Sequence, residues 1–176
     1  AGLDYVGVSP ILAHYKETRL PVVVVRLFNT VGPRQTGQYG MVVPRFVQAA
    51  LKNEDLIVHG DGQQSRCFGH VGDVVGGLMK CLQTPQAFGQ VINIGNDTEV
   101  TINELAKTCI ELAESKSQIR HIPYSEAYGE GFEDMRRRVP SLDKARRLLG
   151  YQPTRQLRDI VLDVVNSIRS GGASTN

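Results

Sequence analysis

Val22-Val-Val-Val25 sets four β-branched residues in a row with no polar residue between them. A strand with one wet face alternates apolar and polar residues. An unbroken apolar run fits a strand covered on both faces, the usual condition of a parallel sheet. The run continues through Arg26-Leu-Phe28 to the polar Asn29 and a Gly32-Pro33 turn. In open α/β sheets ligands bind beyond the carboxyl ends of the strands, so Asn29 stands where such a fold keeps its chemistry. The expected fold class is α/β with parallel strands. A doubly wound sheet carries its glycine-rich cofactor strand about a hundred or more residues ahead of such a strand, yet this one opens at Val22. The expectation is the second half of a larger enzyme.

The 176 residues suffice for one domain with its own core. A net charge of +2 argues for neither nucleic acid nor an anionic membrane as partner. No apolar run approaches the roughly 18 residues of a membrane span, and no basic-then-apolar signal segment opens the sequence. Cys67, Cys81 and Cys109 are odd in number, far apart and set within apolar patterns. They read as reduced core thiols of a cytoplasmic protein.

Ser9-Pro10 reads as an N-cap followed by a first-turn proline. It predicts a helix over 10–18 with Ile11, Leu12 and Tyr15 inward. Residues 22–28 form the strand, and 30–40, with Gly32, Gly37 and Gly40, a loop. Pro44 opens a helix, 56–58 a short strand, and 66–71 another. Asp73 is expected to cap a helix that buries Val74, Val75, Leu78, Met79 and Leu82. Residues 91–94 form a strand, and Thr101 with Glu104 a capping box opening the next helix. Residues 119–122 fit a strand and 124–138, with Gly129 and Gly131, an irregular segment. Ser141 caps a helix over 142–149, which Gly150 ends. A last helix covers 155–169, and 171–176 is a disordered tail. No linker divides residues 1–170, which read as a single unit.

Metal binding finds little support: Cys67 and His70 fall on opposite faces of their strand, and no CxxC or HxxxH occurs. His70 reads as a hydrogen-bonded structural histidine. No serine stands in a G-x-S-x-G elbow. Arg66 follows the turn Gly60-Asp-Gly-Gln-Gln-Ser65 and could hold a phosphate bidentately or form a surface ion pair. Arg136-Arg-Arg138 fits a solvated basic run, or supplies one arginine to the anion that Arg66 holds. It lacks the aromatic platform of a nucleic-acid site.

Four stretches together resemble the NAD-dependent epimerase/dehydratase family, the extended short-chain dehydrogenases that act on nucleotide sugars. They are Arg26-Leu-Phe-Asn-Thr-Val-Gly-Pro33, Val42-Val-Pro-Arg-Phe46, the segment from Leu56 through His59-Gly-Asp-Gly62 to Asp73, and Leu148-Leu-Gly-Tyr-Gln-Pro153. The similarity is greatest to UDP-glucuronate decarboxylases and UDP-sugar 4-epimerases.

The resemblance implies the C-terminal part of a Rossmann-like fold. Residues 1–34 and 91–115 would be a remnant of the dinucleotide-binding sheet, and 35–72 with 119–150 the nucleotide-sugar subdomain. It implies a UDP- or dTDP-sugar as ligand. Asn29, Val43, Arg66, Arg138 and Arg137 would bind the substrate, and Phe28 with Asn29 would lie near the nicotinamide of NAD. The family's glycine-rich NAD loop has no counterpart here. Nor does its Tyr-x-x-x-Lys pair: aligned back from Tyr15, that tyrosine falls near Ala1 and the lysine near Tyr5, while Tyr5-Val-Gly-Val-Ser9 offers serine for lysine. The expectation is a truncated enzyme with no catalytic residues of its own, inactive and without NAD when alone. It would be a homodimer, with a non-catalytic nucleotide-sugar-binding module or a fragment needing a partner chain for the NAD-binding half as the alternative readings, and no metal, membrane or nucleic acid is expected.

Overall fold

A computed structural model of the chain describes residues 3–35, 41–128 and 135–171, with the side chains of 3–7 left aside. Gly37, Gly40, Gly129, Gly131, the tail after Gly171 and Ala1 lie outside that description, as does the side chain of Tyr5.

The predicted Val-rich strand is β1 (Val24–Leu27), and it pairs in parallel with β6 (Val91–Ile94). Two further parallel pairs follow: β2 (Thr30–Val31) with β5 (Gly69–His70), and β3 (Leu56–His59) with β8 (Ile119–Ile122). The fourth sheet has β4 (Ser65–Cys67) between β7 (Glu99–Thr101), antiparallel, and β9 (Arg137–Arg138), parallel. The class is α/β with parallel strands, as the valine run implied.

The helices are α1 (Leu3–Thr18), α2 (Val42–Leu51), α3 (Val71–Gln83), α4 (Ile102–Ala113), α5 (Tyr124–Tyr128), α6 (Asp143–Leu149) and α7 (Leu157–Arg169). Two apolar cores hold them. The larger gathers α2, α4 and α7 on β3, with Val31 and Phe68; Val47, Leu56, Leu105 and Ile160 are fully buried there. The smaller joins α3 and α6 to β6, with Ile92, Ile94, Leu142 and Tyr151 at its centre. α4 belongs to the first core and α6 to the second, so packing rather than sequence position sets this division.

Local signals acted as expected at several boundaries. The Thr101 hydroxyl accepts from the Glu104 amide and the Glu104 carboxylate from the Thr101 amide. Gly150 takes the left-handed conformation (φ 56°) that ends α6. Cys67, Cys81 and Cys109 are buried free thiols; burial raises all three, Cys67 to about 11 and Cys109 to about 12.

Several expectations need correction: α6 opens at Asp143 with Leu142 rather than Ser141 as its N-cap, and 124–138 holds α5 and β9. α1 starts at Leu3, not at Pro10, which lies inside it; the residues before Ser9 continue the helix, so the proline sacrifices one amide instead of starting a turn. Ile11 is 44% exposed. β1 is only half-buried, with Leu27 outermost, because β6 is its single neighbour among the described residues. On α3, Val74 is buried, but Val75, Met79 and Leu82 are exposed. The helix does have an apolar stripe, wider than the surface that covers it here.

Asp73 does not cap α3 either. His70 does, its Nδ1 accepting from the Gly72 amide at 3.0 Å. Its Nε2 is buried and lies 3.1 Å from Asp163 Oδ2 of α7 without forming a hydrogen bond. The Asp73 carboxylate instead accepts from the Thr154 and Arg155 amides, the Thr154 hydroxyl and the Arg155 guanidinium, at 2.8–3.2 Å. Four donors fasten the segment after α6 to the first turn of α3.

Candidate functional site

A cleft of about 350 Å³ opens where the end of β1, the start of α2, β3 and β4 converge. Its apolar wall contains Val43, Phe46, Ile57 and Val58, and its polar residues include Asn29, Arg45, Gln64, Arg66 and Arg138. Three arginines and no carboxylate line it among the described residues. A cleft of this size, lined by three arginines and apolar on one side, suits an anion carrying a flat or apolar group.

The anionic end is built by strand register. Arg66 of β4 and Arg138 of β9 are direct partners in a parallel pair. Arg66 is 8% exposed, and one guanidinium nitrogen donates to the Ser65 and Met135 carbonyls at 2.7 and 2.8 Å. Two carbonyl partners hold the guanidinium plane in a fixed orientation. Asn29 donates from Nδ2 to the Cys67 carbonyl at 3.0 Å and accepts at Oδ1 from Arg138 at 3.2 Å. The strand end, β4 and β9 are thereby locked together around one cationic surface.

Behind them the turn 60–65 is held open by glycine. Gly62 has φ +71°, and a Cβ there would strike the Asn103 carboxamide. The turn delivers Gln64, buried, whose Nε2 donates to the His59 carbonyl and the Tyr124 hydroxyl, both at 2.9 Å. His59 meets Tyr124 edge to face at 6.4 Å. Burial, and then the Arg45 charge, hold His59 below the ordinary imidazole value. α2 opens at Met41 with no side-chain cap and no acidic residue in its first turn. The first-turn amides of α2 thus receive no side-chain cap from Met41.

Of the residues singled out from the sequence, Asn29, Val43, Arg66 and Arg138 share this cleft. Arg137 does not: its guanidinium forks onto Glu99 at 2.6–3.0 Å on the far side of β9, which raises the arginine and lowers the carboxyl. Arg136 faces Asp61 at 3.5 Å. The basic run thus splits three ways, because alternation along a strand sends neighbours to opposite faces. Phe28 lies outside the cleft, half-buried beside Gly95. Arg45, Gln35, Gln64 and Tyr124 line it without having been singled out; Arg45 and Gln64 lay within quoted motifs, while Tyr124 joins from 60 residues beyond Gln64.

Phe28 and Asn29 do not by themselves fit NAD, since no G-x-G-x-x-G loop occurs in the 176 residues to hold its diphosphate. Among the described residues no cluster of three or more His, Cys, Asp or Glu could hold a metal ion, and no helix is long and apolar enough to cross a membrane.

The model of the GDP-mannose 4,6 dehydratase family matches residues 7–164. The chain is 41% identical over 135 residues to the UDP-N-acetyl-alpha-D-glucosaminuronate decarboxylase of Bacillus cytotoxicus, covering 76% of this chain and 42% of that one. UDP-glucose 4-epimerase of Thermotoga maritima, solved with UDP-glucose, superposes with a TM-score of 0.83 at 27% identity, over 95% of this chain and 52% of that one. UDP-glucuronic acid 4-epimerase of Bacillus cereus, solved with UDP-glucuronic acid and NAD, gives 0.77 at 25% identity, over 90% and 48%. The chain belongs to the NAD-dependent epimerase/dehydratase family, with the Rossmann-like fold of the extended short-chain dehydrogenases. It spans about half the length of the relatives it matches.

Proposed function

We propose that this chain is the nucleotide-sugar-binding half of an NAD-dependent epimerase, dehydratase or decarboxylase. The observation that carries the reading is the convergence of Asn29, Arg66 and Arg138 on one cleft that is apolar on its other side. Arg66 and Arg138 grip the diphosphate, Asn29 orients it at the strand end, and Val43 packs on the nucleoside. Residues 35–72 and 119–150 supply most of this surface, while 1–34 and 91–115 contribute strands of the dinucleotide-binding sheet. The ligand is a UDP- or dTDP-sugar, in keeping with the UDP-sugars in the solved relatives.

Alone, the chain binds the sugar nucleotide without turning it over, because neither the glycine-rich loop nor the Tyr-x-x-x-Lys pair is among its residues. It works as a cytoplasmic homodimer or beside a chain that supplies the NAD-binding half. In support, β1 pairs with a single strand among the described residues, and Leu27, Val75, Met79 and Leu82 are 49–71% exposed. Such surfaces recruit partners. NMR titration with UDP-glucose tests the binding role. Shifts confined to the Asn29 carboxamide and residues around the cleft are expected; unchanged spectra at millimolar ligand refute it.

A further inference from the structure

Arg138 reaches the cleft from a strand of two residues. β9 lies at the edge of its sheet, with β4 as its single neighbour among the described residues. Its backbone is held by the pairing with β4 and by the Ser65 amide, which donates to the Arg136 carbonyl at 2.8 Å. So short a ladder is marginal by itself. Side chains alternate across a sheet. Arg66 and Arg138 are register partners on the cleft side, so Ser65 and Arg137, also partners, face away from it. Glu99 of β7, the register partner of Cys67, faces away with them. Its carboxylate spans all three strands. Oε2 accepts from the Ser65 hydroxyl of β4 at 2.9 Å, and both oxygens accept from the Arg137 guanidinium of β9 at 2.6–3.0 Å. A lone exposed ion pair contributes little, but a forked arginine–carboxylate pair with a further partner is a network that holds a geometry. The bonds from Arg137 and then Ser65 keep the Glu99 carboxyl below its ordinary value, so it is charged at neutral pH.

Resting on the nucleotide-sugar reading above, we propose that Glu99 is a positioning residue for the anion grip. From the outer face of the sheet it sets β9 on β4, and so places Arg138 beside Arg66, without itself lining the cleft. Arg137 and Arg138 are consecutive, so the fork that anchors one fixes the backbone that carries the other. With the fork in place the Arg138 guanidinium reaches Asn29 at 3.2 Å. Without it β9 loses its side-chain anchor on β7, and Arg138 samples positions that the ligand must narrow, at a cost in affinity.

A double-mutant cycle on the full chain tests this, with UDP-glucose affinity read by NMR titration up to millimolar ligand. Glu99→Gln keeps the size of an exposed side chain and removes its charge. It should weaken UDP-glucose by about two- to fivefold, the range of an exposed ion pair. In the Arg138→Ala background the same substitution should change affinity by less than about 1.5-fold, because a residue that acts through another has nothing left to act on. Unchanged affinity in Glu99→Gln would overturn the proposal. So would an equal loss in both backgrounds, which a merely structural glutamate would give. Failure of the unaltered chain to bind UDP-glucose would overturn the nucleotide-sugar reading itself, and this inference with it.

Discussion

The Arg138 guanidinium donates to the Asn29 carboxamide across 3.2 Å, joining residues 109 apart in the chain. The bond ties the end of the parallel sheet to the short strand β9, and it sets both side chains on the surface of one cleft. Substituting Arg138 with Ala should weaken UDP-glucose binding by roughly tenfold, the lower end for a charge-assisted bond. Arg137→Gln, which breaks only the exposed fork on Glu99, should change affinity much less. Calorimetry on the two variants separates the neighbours; equal losses would return the whole basic run to the site.

Arg66 is the buried member of the pair. Arg66→Met should lower affinity by about ten- to a hundredfold and leave the Ser65 and Met135 carbonyls without their donor, at a stability cost of roughly 1–3 kcal/mol. Urea denaturation beside calorimetry measures both effects. Unchanged binding with reduced stability would make Arg66 a structural arginine alone.

Asp73 gives a pH-dependent prediction. Burial pushes its carboxyl up, but bonds from Arg155 and Thr154 outweigh that and hold it below its ordinary value. A depressed folded value means the stabilisation is complete above the ordinary carboxylate range near 4 and is lost as pH falls through the folded value. Asp73→Asn should therefore cost about 2–3 kcal/mol at pH 7, and the gap to the parent should narrow below about pH 4. Denaturation at pH 7 and pH 3 checks it; a gap independent of pH would mean that packing, not charge, makes the difference.

The same carboxylate marks how far the sequence could be read. Elements written in short-range code were legible: the valine run of β1, the Thr101–Glu104 box, the glycine stop after Leu149. The motif order also pointed to the right family. What failed depended on partners distant in sequence. Asp73 has the chemistry of a cap, but its donors arrive 81 and 82 residues later. Val75, Met79 and Leu82 keep helical spacing, and periodicity cannot say whether anything lies against such a stripe. Arg137 and Arg138 are indistinguishable as a charge run. Only the pairing of β9 with β4 turns one toward the cleft and the other toward Glu99.

The exposed side of α3 predicts association. At micromolar concentration, light scattering should report a dimer, since two-fold closure is the commonest route to covering such a patch. Met79→Lys with Leu82→Lys should shift the mass toward one chain. A monomer in the unaltered protein would refute the homodimer.

Calorimetric titration of the chain with UDP-glucuronic acid and, separately, with NAD tests the central claim most directly. The account predicts saturable one-to-one binding of the sugar nucleotide, lost in Arg66→Met, and no binding of NAD over the same range. NAD binding without the sugar nucleotide, or neither ligand binding, would contradict it.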